Sequence, residues 1–350
     1  MVVGLGHWQL NEFAITPGNA TSLSPLITVH GLRVNTHPDR VSFVDVYLQQ
    51  LTMLQYLTMH LQSHVEYVPG SELEEPGVSL SQLTAQGYQE MADAKSAAEV
   101  AALRALGWKI SGAANGAVVT AVVSASPADQ AGLGVEDRIV TANGHPIRTA
   151  CDLIGFVHRL PVGSAVHLGV VHQHFTALGN IKVGREHTYV MRSVAPPAGA
   201  GSLGCPGLRG ADASFLGLAL ETGTQWSLPG RIAINTSLIG GPSAGLAMTL
   251  SLIATLSKDS ITGGHAIATT GTISVNGDVG PVGGVAEKTI AVERAGIKYF
   301  FVPSSEAATA QAEATPGFHV IPVNTLGQVL TYLRAIGGHA PTPISAPTKP

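Results

Sequence analysis

The chain has 350 residues, room for about two or three domains, with 45% hydrophobic and only 12% charged residues. That balance excludes intrinsic disorder and allows a sizeable core, while a net charge of −4 without a Lys/Arg block excludes a nucleic-acid partner held by counterion release. Two cysteines, Cys151 and Cys205, exclude a disulfide-dense scaffold and a CxxC zinc site, and they leave the redox compartment open.

Residues 1–24 read as an N-terminal segment. It lacks a positive n-region, its apolar run is too short to span a bilayer, and Met1–Leu5 is open to reading as the stump of a removed anchor. From 25 to 68, PLITVHGLRV and RVSFVDVYLQQL alternate as strands do. Helix formers dominate 79–106, where Met91, Ala94, Ala98, Ala101, Ala102 and Ala105 form a small-residue stripe ended by Gly107. A glycine-punctuated block of strands follows over 112–194, and the Pro/Gly/Ala run at 196–204 reads as a linker. Beyond it the pattern predicts a strand at 231–235, a helix after Pro242 and a hairpin turning at Asn276-Gly277. A helix at 285–295, strands at 298–302 and 319–323, and a helix at 326–336 complete it. The tail 339–350 is expected to be disordered. The longest charge-free stretch, 232–257, carries Gly240-Gly241-Pro242 and several Ser and Thr, so it reads as a core helix rather than a membrane span.

The run SPADQAGLGVEDRIVTANGHPI (126–147) is dense in turn chemistry. Pro127 can open a short helix that Gly132 closes, and Asn143-Gly144 makes a tight hairpin. It resembles a PDZ domain of the bacterial type over about 113–195, with Glu136 standing where that family usually has Gly before Asp137. PDZ domains add a peptide as a strand to a sheet edge, and by resemblance Asn115, Gly116, Ala117 and Val118 form the cradle.

In GGPSAGLAMTLSLIATLS (240–257), Pro242 suits a first helical turn, which puts Ser243 among free backbone N–H groups able to stabilise an oxyanion. The alternative is that Ser243 only caps the helix. A serine hydroxyl needs a base. In VAEKTIAVERAGIK, Val285, Lys288, Val292 and Ala295 share one face, with Glu287, Arg294 and Lys298 roughly opposite. Burial of Lys288 on the apolar face would lower its proton affinity toward neutrality, whereas snorkelling to water would not.

GPSAGLAMTLSLIATLS followed by TTGTISVNGDVGPVGGVAEKTIAVERAGIKYFFVP resembles the proteolytic domain of Lon proteases, which use a Ser–Lys dyad. The resemblance spans about 231–303 with the spacing intact. It implies that Ser243 is the nucleophile, Lys288 the general base, Thr270 a residue whose hydroxyl positions that lysine, and the Ser243 and Ala244 N–H groups the oxyanion hole. Two positions depart from the Lon pattern: Ile239-Gly240 replaces a Lys-Asp pair, and Thr272 replaces an acidic residue. No GxxxxGK[ST] loop occurs, so the resemblance is to ATP-independent, membrane-anchored Lon-like proteases of the extracytoplasmic face, although this chain carries no transmembrane segment. The stretch EMADAKSAAEVAALRALG resembles the helix that precedes the dyad in Lon-type domains. The expected fold is therefore α+β: a discontinuous Lon-type protease domain, 25–110 and 205–338, with a mainly-β PDZ domain, 111–195, inserted.

Two other readings stand beside this one. GPSAG fits the nucleophile elbow of an α/β-hydrolase esterase, with Asp278 and His319 in the required order, but too little chain follows Ser243 for that sheet, and Lys288 goes unexplained. A catalytically silent PDZ adaptor would be expected to have lost a dyad residue, and both are present. His167, His172 and His174 lack a carboxylate or cysteine at ligand spacing, so no metal is expected, nor any other cofactor. The expected activity is cleavage of flexible or unfolded polypeptides, recruited by the PDZ domain through unstructured or C-terminal tails without ATP. By resemblance the assembly is a homo-oligomeric ring.

Overall fold

The computed structural model describes residues 8–59, 64–70, 80–175, 181–197, 205, 214–236 and 239–344. The chain forms two compact units. One is built from its two flanks, up to Ile110 and from Leu228, and the other from Ser111–Thr176 and Asn180–Ser227.

The first unit opens with β1 (Gln9–Ser22), β2 (Ile27–His30) and β3 (Val41–Thr52), followed by α1 (Met53–Met59), β4 (Glu66–Pro69) and α2 (Leu80–Ala105). β1 falls in the residues expected only as an N-terminal segment, yet it pairs antiparallel with β3 on one side and β4 on the other. Pro17, Gly18 and Asn19 disguise it as a turn, and the register shift between Pro17 and Ala20 absorbs them as a bulge within one long strand. The stripe on α2 is buried at Met91, Ala94, Ala98, Ala101 and Ala102, and Gly107, at φ +89°, ends the helix.

The second unit contains β5 (Gly112–Val122), α3 (Pro127–Gln130), β6 (Arg138–Ala142), β7 (His145–Pro146), α4 (Ala150–His158), β8 (Ala165–Phe175), β9 (Ile181–Arg192) and β10 (Leu218–Trp226). The sheet order is β10-β5-β6-β8-β9, with β7 on β6, around a core that includes Val119, Ile139, Leu153, Leu168 and Leu216. The Asn143-Gly144 turn joins β6 to β7 as the sequence predicts, both residues at positive φ. α4 was hidden in a block read as strands, because it is short and carries Gly155 and β-branched residues. A capping box between Thr149 and Asp152 starts it, and Leu153 and Val157 bury its face. β10 was expected in the catalytic part beyond 204, but it pairs along β5, from Leu218 opposite Val122 to Trp226 opposite Gly112. The Ser227 N–H donates to the Ser111 carbonyl at 2.9 Å, so this unit begins and ends at adjacent points. Cys151 and Cys205 form a disulfide, Cα–Cα 5.6 Å. Most of the expected 196–204 linker lies outside the described residues.

On returning to the first unit, β11 (Arg231–Ile234) pairs with β2, and a 3₁₀ turn, Pro242–Ala244, leads into α5 (Gly245–Leu256). There follow β12 (Ile267–Thr269), β13 (Thr272–Ile273), β14 (Val279–Gly280), α6 (Val285–Arg294), β15 (Tyr299–Pro303), α7 (Ala307–Glu313), β16 (His319–Val323) and α8 (Leu326–Ala335). The main sheet runs β16-β15-β12-β3-β1-β4, parallel from β16 to β3 and antiparallel from β3 to β4, so strands from both flanks of the chain share it. Val285 and Val292 of α6 and Ala310 of α7 pack with Val44, Ala268, Phe300 and Val302. Every residue of α5 is buried, and the helix packs on α2 and β3. Residues 339–344 are ordered rather than part of a disordered tail: Lys258 N–H donates to Thr342 O at 2.9 Å and Ile344 N–H to Leu256 O at 3.0 Å. The buried end of α5 needs those partners for its backbone groups. Among the described residues no helix is long and apolar enough to cross a membrane.

Candidate active site

Ser243 lies half-buried in the 3₁₀ turn ahead of α5, where N–H groups have no carbonyl four residues back to bond. The turn is held from two directions. On one side, Gly241, at φ +87°, donates its N–H to the Gly87 carbonyl of α2 at 2.7 Å. A Cβ on Gly240 would meet the Gly87 backbone at 3.1 Å, so two glycines in succession allow this approach. On the other side, the Ser243 carbonyl accepts the Gly271 N–H at 2.9 Å, and the Leu246 N–H donates back to Gly271 O at 3.1 Å. Thr270 is fully buried at the end of β12, its N–H bonded to Phe301 O. Its hydroxyl faces the Ser243 carbonyl at 3.4 Å rather than bonding Lys288, so the structure pairs the expected lysine-positioning threonine with the serine's own backbone.

Lys288 projects from α6 on its buried face and is 3% exposed, in company with Val285 and Val292. Burial drives its proton affinity down to about 8, against the opposing pull of Glu306, Asp45 and Glu287. That is the range in which a lysine can act as a base near neutrality. Glu287, placed by helical geometry on the opposite face, is buried too, because β1 also packs on α6. Desolvation raises its carboxyl above the usual carboxylate range. The Ser243 and Lys288 side chains are not hydrogen-bonded to each other in this structure.

Three further carboxylates near Lys288 escape a reading by motif. Asp45 accepts the Asn19 N–H at 2.7 Å, Glu306 accepts the Val282 N–H at 2.8 Å, and Glu287 sits one residue before the lysine. The first two come from strand and turn segments with no spacing relation to Lys288, so only the fold brings them there. Asp278 and His319, the esterase candidates, are engaged elsewhere: Asp278 with Ser274 in its hairpin and His319 stacked on Tyr299.

In the second unit, Asn115, Gly116, Ala117 and Val118 are not an open cradle. Val118 pairs with Glu221 of β10 and Arg138 of β6, Ala117 with Thr222 and Ile139, and the Gly116 N–H goes to Arg148 O. The turn signals around them are genuine, but β10 arrives from far along the chain and occupies that edge. His172 bonds Asp137 through Nδ1 and the Tyr189 hydroxyl, at 2.7 Å, through Nε2. His167 is exposed, and the His174 side chain lies outside the described residues. Among the described residues no three His, Cys, Asp or Glu side chains are grouped to hold a metal ion.

Residues 238–335 match the model of the Lon protease (S16) C-terminal proteolytic domain, and residues 104–183 match that of the PDZ domain. Relatives include Lon protease of Koribacter versatilis, 38% identical over 94 residues, which are 26% of this chain and 11% of that protein. Lon protease of Flavobacterium johnsoniae is 40% identical over 88 residues, 25% of this chain and 10% of that one. The chain thus spans about a tenth of the length of the curated relatives it matches. A PDZ domain of an SdrC-like protein from Listeria monocytogenes aligns over 30% of this chain and 87% of its own, at 17% identity and TM-score 0.23. Both dyad candidates and Thr270 fall inside the first matched segment.

Proposed function

We propose that this chain, which carries a Lon-type proteolytic domain with a PDZ domain, is a serine endopeptidase that works without ATP through a Ser243–Lys288 dyad. The observation that carries this reading is a lysine buried on the helix face it shares with Val285 and Val292, its proton affinity brought down to about 8, within the Lon-type segment that also holds the Ser243 turn. Neutral Lys288 takes the Ser243 proton as Oγ attacks the peptide carbonyl, and the Ser243 and Ala244 N–H groups receive the oxyanion. The tetrahedral intermediate collapses, the amine leaves with the proton from Lys288, and water, deprotonated in turn by Lys288, hydrolyses the acyl-enzyme. Thr270 steadies the serine turn through the Ser243 carbonyl.

On this reading the substrates are flexible or already unfolded polypeptides, which can enter a serine-protease cleft without being unfolded first. Peptide recruitment belongs on β10, the sheet edge beside α4, where Ile154, Leu218 and Leu220 are half-buried against the same core. The Cys151–Cys205 disulfide supports work in an oxidising, extracytoplasmic setting, with the membrane association and ring assembly that the Lon-like resemblance implies.

The test is cleavage of fluorescent casein without ATP by wild type, Ser243→Ala and Lys288→Ala. Loss of at least about 10³-fold in both variants is expected. Loss in Ser243→Ala alone would instead favour an esterase-like triad, and no cleavage by any form with peptide binding intact would favour the silent adaptor.

A further inference from the structure

Arg104 lies in the last turn of α2, where a cation is ordinarily drawn to the helix's own terminal carbonyls. Here those carbonyls have other donors: Leu103 O accepts the Trp108 N–H at 3.0 Å, and Arg104 O accepts the Gly107 N–H at 2.9 Å. The guanidinium reaches instead to the β13–β14 hairpin, 171 residues further along the chain. Its Nη1 donates to Val275 O at 2.9 Å and to Asn276 Oδ1 at 3.1 Å. Its Nη2 donates to Ile110 O at 3.4 Å, at the point where the first unit gives way to the second. A planar fork held by two acceptors on the hairpin and one on the chain leaving α2 has little freedom to swing.

The same hairpin shapes the Ser243 turn. It is entered through Gly271, whose N–H donates to Ser243 O at 2.9 Å and whose carbonyl accepts the Leu246 N–H at 3.1 Å. Two residues on, Ile273 lies against the start of α5, where a Cβ on Gly245 would meet the Ile273 nitrogen at 3.0 Å. α2 therefore grips one assembly at two places. Gly87 O takes the Gly241 N–H ahead of Ser243, and Arg104 takes the hairpin that backs it. The two grips lie about 25 Å apart along the helix axis.

We infer that Arg104 is a positioning residue for the Ser243 turn: by holding Val275 and Asn276, it fixes the hairpin that seats the Ser243 carbonyl, and so where the serine hydroxyl stands. The inference rests on the dyad reading above. A hydroxyl displaced by about 1 Å from its line of attack loses up to about a hundredfold in rate. Substrate contacts away from the turn are untouched by such a displacement, so the effect belongs in kcat rather than KM.

The experiment uses the full chain, with Arg104→Ala, Arg104→Lys and Asn276→Ala beside wild type. Hydrogen exchange at the Leu246 and Gly271 amides reports how firmly the turn is seated, whether or not the protein cleaves anything. Steady-state kinetics on a fluorogenic peptide report the consequence. In Arg104→Ala both amides are expected to exchange at least about tenfold faster while the β15–β16 ladder stays protected. Its kcat is expected to fall about tenfold, with KM within about twofold. Arg104→Lys keeps the charge without the planar fork and should recover part of kcat. Asn276→Ala removes one acceptor, leaves α2 intact and should show a smaller loss in the same two readouts. Unchanged exchange at Leu246 and Gly271 in Arg104→Ala overturns the inference, as does equal acceleration in the β15–β16 ladder, which would mean general loosening. Full kcat despite faster exchange overturns it too. If Arg104→Ala does not fold, Asn276→Ala carries the test, and wild-type exchange and kcat in that variant overturn the inference. Cleavage that persists in Ser243→Ala sinks the dyad reading, and with it the kinetic role of Arg104, whatever the exchange shows.

Discussion

Lys288 shows how one side chain acquires chemistry from its surroundings. A lysine in water is protonated far above neutrality, but desolvation at 3% exposure brings this one down to about 8. In the proposed mechanism the group is active when neutral, so kcat/KM is expected to rise with pH along a limb of midpoint near 8, flattening above it. Lys288→Arg, which cannot be neutral in this range, should abolish the limb together with the activity. A steady-state pH series on a fluorogenic peptide checks both outcomes, and a limb centred near 6.5 would point to histidine instead. Glu136 shows the opposite case, a side chain where the backbone asks for none. It sits at φ +72°, in the position where PDZ sequences usually have glycine. Left-handed backbone costs a residue with a Cβ about 1–2 kcal/mol, part of which glycine returns through its freer unfolded chain. Glu136→Gly should therefore stabilise the second unit by roughly 0.5–1 kcal/mol, read as a higher denaturant midpoint with an unchanged slope.

Among the elements, α4 and β10 have the most bearing on recruitment. Ala150 N–H, at the start of α4, donates to the Thr222 hydroxyl of β10 at 3.1 Å, which ties helix to strand at one end. Toward the other end Ile154, Leu218 and Leu220 offer partly exposed apolar surface. Ile154→Glu and Leu220→Glu are each expected to weaken binding of an unstructured peptide by about tenfold or more, since each sets an unpaired charge against an apolar ligand side chain. Titration with a labelled peptide measures it, and equal affinity in wild type and variants would move the site to β9, the other sheet edge. The Ser243 turn depends on elements in a similar way. It takes its shape from α2 through Gly87 and from the β12 exit through Gly271, two segments far apart in the chain.

At the level of the molecule, the protease unit is interrupted and then resumed. Ser111 and Ser227 are hydrogen-bonded to each other at the insertion's root, so excising 112–226 and joining the ends asks a short linker to span only a short gap. The shortened chain is expected to keep the pairing of β3 with β12, to fold, and to cleave short peptides at a rate within about threefold of the full chain, because both residues of the proposed dyad lie outside the excised part. Casein cleavage should fall more steeply, since recruitment is lost. Equal loss on both substrates would show that the inserted unit supports the protease fold itself.

Much of this could be read directly from the chain. The Ser243 turn, the helix carrying Lys288, the small-residue stripe of α2 and the Asn143-Gly144 hairpin all announce themselves through local chemistry: helix-start proline, 3.6-residue periodicity and turn residues that tolerate positive φ. Local rules failed wherever a partner came from a distance. β1 lies in residues that read only as an N-terminal segment, and it is a strand because β3 and β4 pair with it; Asn115–Val118 read as an open cradle, but β10 pairs there from about a hundred residues later. Glu287 falls by its helical angle opposite the apolar face and is nevertheless buried, with β1 packed on its helix, while Asp45 and Glu306 have no sequence relation to the lysine whose charge they favour. Periodicity records what each segment does to its own neighbours, whereas strand pairing and electrostatics depend on which distant segments the fold brings alongside.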